Sequence, residues 1–147
     1  MRFYLMRHAT AADPGGTADA LRPLTEQGRR EARDAGAALR DRKAAIAVVL
    51  TSPRLRARET AELVVAGLGR DVPVDVRDGL TCGATAETYL EEIRSQGDRG
   101  LLVVAHNPEL SSFTSALVGE AVSFRPATVC AIDREDATAR LVWLRHP

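Results

Sequence analysis

The sequence predicts an α/β fold: a single three-layer domain over residues 1–147, with a mostly parallel sheet, helices on both faces and a C-terminal antiparallel hairpin. Three observations predict it. Short continuous apolar runs at 3–6, 46–50 and 101–105 are each followed by a stretch of helical period, the pattern of strands buried on both faces. Each run stops abruptly at a polar cluster: Arg7-His8, Thr51-Ser52-Pro53 and His106-Asn107-Pro108. Helical patterning then ceases, and two β-rich runs at 127–133 and 139–144 flank the polar turn Arg134-Glu135-Asp136-Ala137.

The elements follow in order. After the first strand, residues 11–20 hold Asp13-Pro14-Gly15-Gly16 and read as a loop. Thr25 is placed to cap a helix, with Glu26 in the first turn where the helix dipole favours an acid. Ala32, Ala35, Gly36 and Leu39 give that helix an apolar face, and it should run to about Arg42. The run at 46–50 is the second strand. Ser52 then reads as the cap and Pro53 as the first residue of the next helix, which needs no amide hydrogen there. Arg56 falls in its first turn, where free backbone amides already favour an anion.

A third strand is expected at 72–76, interrupted by Pro73, followed by a loop over 78–83 and a helix over 84–96. The turn 97–100 leads into the strand 101–105. Asn107 and Pro108 then cap and start a helix whose Leu110, Phe113, Leu117 and Val118 face inward. Trp143 is expected in the core and His146 in solvent.

Composition narrows the function. Twenty basic residues balance twenty acidic ones, so nothing draws this chain to a polyanion, and nucleic-acid binding is not expected. Hydrophobic residues at 45% and charged residues at 27% are ordinary for a globular protein, and 147 residues bury roughly two-thirds of their unfolded surface. The first apolar run is too short for a leader or a membrane span, so a cytoplasmic protein without membrane partners is expected. Cys82 and Cys130 show no C-x-x-C spacing and read as thiols, with a single bridge left open. His8, His106 and His146 are far apart and lack metal-ligand spacing, so no metal or other cofactor is expected.

In an open α/β sheet, ligands bind beyond the carboxyl ends of the strands. That edge collects Arg7, His8, the segment from Ser52 to Arg56, and His106. Two arginines, a helix start and two histidines suit a tetrahedral dianion such as a phosphoryl group. One neutral histidine could attack phosphorus in line. His8 is the better placed, because Arg7 beside it can clamp the same oxygens. For that attack its far ring nitrogen must be unprotonated while the near one donates to a backbone carbonyl.

These motifs resemble the histidine phosphatase superfamily, the phosphoglycerate mutase-like fold. The residues that carry the resemblance are Arg7-His8-Ala9, Ser52-Pro53-x-x-Arg56-Ala57-x-x-Thr60 and Val104-Ala105-His106-Asn107-Pro108, in that order at strand-to-helix joints. Arg22-Pro23-Leu24-Thr25, Leu80-Thr81-Cys82-Gly83 and the short chain look more like its SixA-type phosphohistidine phosphatase branch. The resemblance implies that His8 is transiently phosphorylated, that Arg7, Arg56 and His106 form the phosphate pocket, and that no metal takes part. Arg54 and Arg58 are then solvated or paired helix charges. Arg22 either reaches the pocket as a substrate contact or caps the first crossover.

Two departures matter. Ala9 stands where the wider family usually has glycine. The glutamate that protonates the leaving oxygen in many members has no counterpart, and Asp78 is the only acid near that position, one step out of register; as a general acid it competes with the plainer reading of an exposed loop aspartate. An alkoxide leaves poorly without a proton donor, whereas a phosphorylated imidazole can draw its proton from solvent. A chain this short also leaves little for a lid. The expectation is therefore a phosphatase for phosphohistidine on a protein, with a small phosphoester as the alternative substrate and an idle phosphate-binding module as the alternative role.

Overall fold

The structure, a computed structural model, describes all 147 residues. Four parallel strands form one side of a six-stranded sheet: β1 (Arg2–Arg7), β2 (Val48–Thr51), β3 (Val74–Val76) and β4 (Leu101–Ala105). The antiparallel strands β5 (Val129–Glu135) and β6 (Thr138–Arg145) complete it in the order β3-β2-β4-β1-β5-β6. Between them run helices α1 (Glu26–Asp41), α2 (Leu55–Leu68), α3 (Ala86–Ser95) and α4 (Glu109–Val118). The predicted fold class is the observed one.

Each inner strand is buried on both faces because its side chains alternate between two cores. Tyr4 and Met6 of β1 join Val49, Leu102 and Val104 on the side covered by α1 and α2, where Leu39 and Val64 pack. Phe3 and Leu5 join Leu50, Leu101 and Val103 on the opposite side, under Tyr89 and Ile93 of α3 and Leu110 and Phe113 of α4. The two helices on the first side touch backbone to backbone. A side chain on Gly36 would meet Val64 O at 2.2 Å, and one on Gly67 would meet Arg33 O at 2.2 Å.

The caps at Thr25 and Thr85 follow from composition: their hydroxyls accept from Gly28 N at 3.0 Å and Thr88 N at 3.2 Å. Two helix starts differ from expectation. Ser52 is not the cap of α2, because the sheet ladder extends to it: Ser52 N donates to Val104 O at 3.1 Å. Arg54, with extended backbone, is the cap residue, and Pro53 lies outside the helix. Likewise Pro108 is the boundary residue of α4 rather than its first residue, while Asn107 Oδ1 still accepts from Ser111 N at 3.1 Å.

β3 is shorter than expected and lies at the sheet edge, where Pro73, lacking an amide hydrogen, still accepts from Val49 N at 3.0 Å. The hairpin closes between Glu135 and Thr138, with Asp136 in the left-handed region at φ 53°. Trp143 is half-buried rather than core: β6 is an edge strand, and the indole is tilted against Tyr4 with the Arg42 guanidinium 4.2 Å above it. His146 is exposed as expected, yet its ring is held, Nδ1 lying 2.7 Å from Thr128 Oγ1. Cys82 and Cys130 are both free thiols, and burial pushes Cys130 up to about 12. No helix is long and apolar enough to cross a membrane.

Candidate active site

The carboxyl ends of β1, β2 and β4 lie side by side, since β4 pairs with both others. Their exits therefore converge. His8 continues β1 by donating its amide to Ala105 O at 3.0 Å, and its own carbonyl accepts from Ala127 N at 3.0 Å. The next residue after Ala105 is His106. The two imidazoles consequently face one another, ring centroids 5.3 Å apart and planes tilted by 58°.

Both rings are buried, His8 at 8% and His106 at 2% exposure, yet they are held differently. His8 Nδ1 lies 2.7 Å from Ala9 O. A carbonyl only accepts, so Nδ1 carries the hydrogen and Nε2 keeps its lone pair. The loop that presents Ala9 is fixed in turn: Ala9 N donates to Thr60 Oγ1 at 3.0 Å, and that hydroxyl donates to Arg56 O at 2.7 Å, one turn back on α2. His106 instead uses Nε2, 2.7 Å from Ser52 Oγ. Its Nδ1 is buried without a protein partner.

Cations surround the pair. Arg56 is buried at 4% exposure, Arg7 is half-buried, and Arg7 Nη1 donates to Phe124 O at 3.1 Å. Burial alone penalises a second charge here, and Arg56, Arg7 and Arg22 add repulsion, so His8 is lowered to about 4. Burial, then His8 and Arg56, lower His106 to about 3. Burial beside Arg56 also lowers Arg7. Both imidazoles are neutral at pH 7. Eight buried side-chain nitrogen or oxygen atoms in the whole chain lack a partner, and three of them are Arg7 Nε, Arg56 Nε and His106 Nδ1. Buried polar atoms left without a protein partner at one spot call for a partner from outside the chain, a water or a ligand.

Family comparison gives this arrangement a lineage. Residues 3–81, more than half the chain, match the model of the histidine phosphatase superfamily (branch 1). The chain belongs to that superfamily. Its relatives place this histidine phosphatase in the SixA-type branch. Phosphohistidine phosphatase SixA of Escherichia coli K12 is 36% identical over 111 residues, which is 74% of this chain and 68% of that protein. An uncharacterized protein of Mycobacterium tuberculosis H37Rv is 42% identical over 143 residues, 95% of this chain and 86% of its own. The solved structure of the protein histidine phosphatase SixA complexed with tungstate superposes with a TM-score of 0.86 at 27% identity, covering 98% of this chain and 96% of that one. This chain is a phosphatase.

Of the residues read from the sequence, the fold brings Arg7, His8, Arg56 and His106 together, and Arg22 lies near enough to His8 to act on its charge. Arg22 ties the crossover, as its Nε donates to Ala12 O at 2.8 Å and its Nη1 to Asp19 Oδ1 at 3.2 Å. Arg54 is paired, and Arg58 Nε donates to Pro53 O at 3.0 Å. Asp78 opens the 3-10 turn Asp78–Leu80, is exposed, and makes no side-chain hydrogen bond or ion pair to any of the four. Three further residues take part in contacts the sequence did not assign to them, and of these only Asp19 was not already placed near this edge. Ser52 Oγ meets His106 as well as the amide of Arg54 at the entry to α2. Cys82 Sγ sits 3.6 Å from Arg56 Nη2. Asp19, inside what composition marks only as loop, is engaged by Arg22, Arg54 and Arg56. The signal for Asp19 was the arginine excess at this edge, which calls for an anion.

Proposed function

We propose that this phosphatase works through a phosphohistidine intermediate on His8 and that its substrate is phosphohistidine on another protein. The observation that carries the mechanism is the His8 Nδ1 bond to Ala9 O, which leaves Nε2 as a neutral, fixed nucleophile at pH 7. Nε2 attacks phosphorus in line. The bond from phosphorus to the substrate's imidazole nitrogen breaks, and its electron pair stays on that nitrogen, which takes a proton from solvent. Water then attacks phospho-His8, returning neutral His8 and releasing inorganic phosphate. Arg7 and Arg56 offset the charge on the equatorial oxygens, and His106 Nδ1 donates to one of them when Ser52 Oγ donates to Nε2. This is transfer without a metal.

The choice of substrate rests on the leaving group. Asp78, the acid nearest the family's usual position, is exposed and unattached to the site, and an imidazole leaving group is the one that tolerates its absence. The similarity to phosphohistidine phosphatase SixA of Escherichia coli supports the same choice. The test has two arms. Brief reaction with a phosphohistidine protein, then quenching and digestion, should give acid-labile phosphate on the peptide holding His8. Turnover of that protein should exceed turnover of a panel of sugar and nucleotide phosphates in kcat/KM. Label on another residue would overturn the mechanism, and preference for a small phosphoester would overturn the substrate.

A further inference from the structure

Asp19 belongs to the 3-10 turn Asp19–Leu21 in the loop joining β1 to α1. Its Oδ2 receives Arg54 Nη1 at 2.7 Å and Arg56 Nη2 at 3.3 Å, its Oδ1 receives Arg22 Nη1 at 3.2 Å, and its backbone carbonyl receives Arg56 Nη1 at 2.9 Å. Both outer nitrogens of the buried Arg56 thus donate to Asp19, and Nη2 also lies 3.6 Å from Cys82 Sγ. Guanidinium groups recognise carboxylate and phosphoryl oxygens by the same fork geometry, so Asp19 holds the donors that a phosphoryl group needs.

We propose that Asp19 is an internal surrogate for the phosphoryl group, competing for Arg54 and Arg56 in the unliganded pocket and thereby selecting substrates that bring binding energy from elsewhere. The inference rests on the reading above that Arg56 holds the phosphoryl oxygens. Three features make Asp19 a displaceable competitor rather than a fixed strut. Its side chain is half exposed, at 49%, while that of Arg56 is 5% exposed. The open side of the carboxylate faces solvent, so an incoming anion can reach the same guanidinium donors and take its place. And the backbone of the turn is held independently of the carboxylate, by Arg22 N and Arg56 Nη1 on Asp19 O at 3.2 and 2.9 Å and by the bond from Ala12 N to Pro23 O at 2.8 Å, so the side chain can leave without unfolding the turn. The arginine partners hold the carboxyl below its usual range, led by the bond from Arg22, so the competitor is charged at neutral pH.

A pocket that is free for only a fraction of the time binds its ligand more weakly by that fraction. Inorganic phosphate and small phosphoesters meet this competition with nothing but the phosphoryl group. A protein substrate carries further contacts, and binding energy from remote parts can be spent on displacing Asp19. The carboxylate also restrains inhibition by the released phosphate.

The test compares wild type with Asp19→Asn and Asp19→Ala, measuring inorganic phosphate and orthovanadate binding by calorimetry and steady-state kinetics with p-nitrophenyl phosphate and a phosphohistidine protein. Both variants should bind phosphate about three- to tenfold more tightly. KM for p-nitrophenyl phosphate should fall by more than kcat changes, and the preference for the protein over the small ester should shrink by a similar factor. Asparagine keeps the size of the side chain, so agreement between the two variants separates charge from packing. Equal or weaker phosphate binding in both variants would overturn the proposal, because Asp19 would then be idle or would orient the arginines. If wild type itself bound neither anion and His8 took no label, the reading of the site would fall too; intact labelling with unchanged variants would remove Asp19 alone.

Discussion

His8 and His106 are the same side chain, buried in the same pocket with their rings 5.3 Å apart, and both are neutral at pH 7. They differ in one hydrogen bond each. His8 spends Nδ1 on a carbonyl, which can only accept, and so its tautomer is fixed with Nε2 bare. His106 spends Nε2 on a hydroxyl, which can donate or accept, and leaves Nδ1 buried and unpaired. Burial and the arginines set the charge of both rings, but the partner atom sets the role. On the proposed mechanism one ring gives a lone pair and the other, when Ser52 Oγ donates to its Nε2, gives a hydrogen.

Replacing each histidine by alanine should break this comparison most visibly. His8→Ala removes the nucleophile, and kcat should fall by at least about 10⁴-fold with no acid-labile phosphoenzyme. Phosphate binding should survive, since Arg7 and Arg56 remain. His106→Ala removes one donor to the developing charge, costing about 10²–10³-fold, and the phosphoenzyme should still form, more slowly. Single-turnover kinetics with quench and label counting reads both. If the two variants were equally slow and both retained label, the division of roles would be wrong.

Acid pH should act on the pair next. The unfolded chain binds a proton on each histidine below about pH 6.5, whereas the folded rings resist until about 4 for His8 and about 3 for His106. In that window the unfolded state holds more protons, so stability rises with pH. It is fully present above the unfolded value and is lost as pH falls toward the folded ones. Between pH 7 and pH 5 each histidine should cost about 2 kcal/mol of folding stability. Urea melts at the two pH values measure it, and His8→Ala should show roughly half the wild-type decline. A proton NMR titration in which either ring shifts near pH 6.5 in the folded protein would contradict the burial argument.

Why some of this was legible in sequence and some was not follows from distance along the chain. Arg7, His8 and His106 announce themselves as breaks in apolar runs, and the sheet rule collects such breaks at one edge. Arg56 was legible as an arginine in the first turn after the second strand, and the family resemblance singled it out from Arg54 and Arg58. Asp19 carries no period, and the arginines that give it meaning lie 35 and 37 residues further on. Ser52 had a local explanation as a helix cap, but the sheet ladder runs on to it and moves the cap to Arg54, and its second partner, His106, is 54 residues away. Trp143 was misplaced for a related reason: an apolar strand does not declare whether it will be at an edge. Contacts that repeat locally can be read from a sequence, while a single long-range pairing cannot.

Ser52 gives the smallest and sharpest test of the comparison. Its hydroxyl bonds His106 Nε2 at 2.7 Å and also accepts from Arg54 N at 3.2 Å, so it could serve catalysis through the ring or stability through the turn into α2. Ser52→Ala should lower kcat about tenfold, the ring losing the bond that orients Nδ1 toward the phosphoryl oxygens. A double-mutant cycle separates the two routes. If Ser52 acts only by holding His106, then Ser52→Ala made in the His106→Ala background should cost nothing further. If the losses multiply instead, the hydroxyl works through the Arg54 amide, and the contrast between a ring fixed by a carbonyl and a ring fixed by a side chain has no catalytic content.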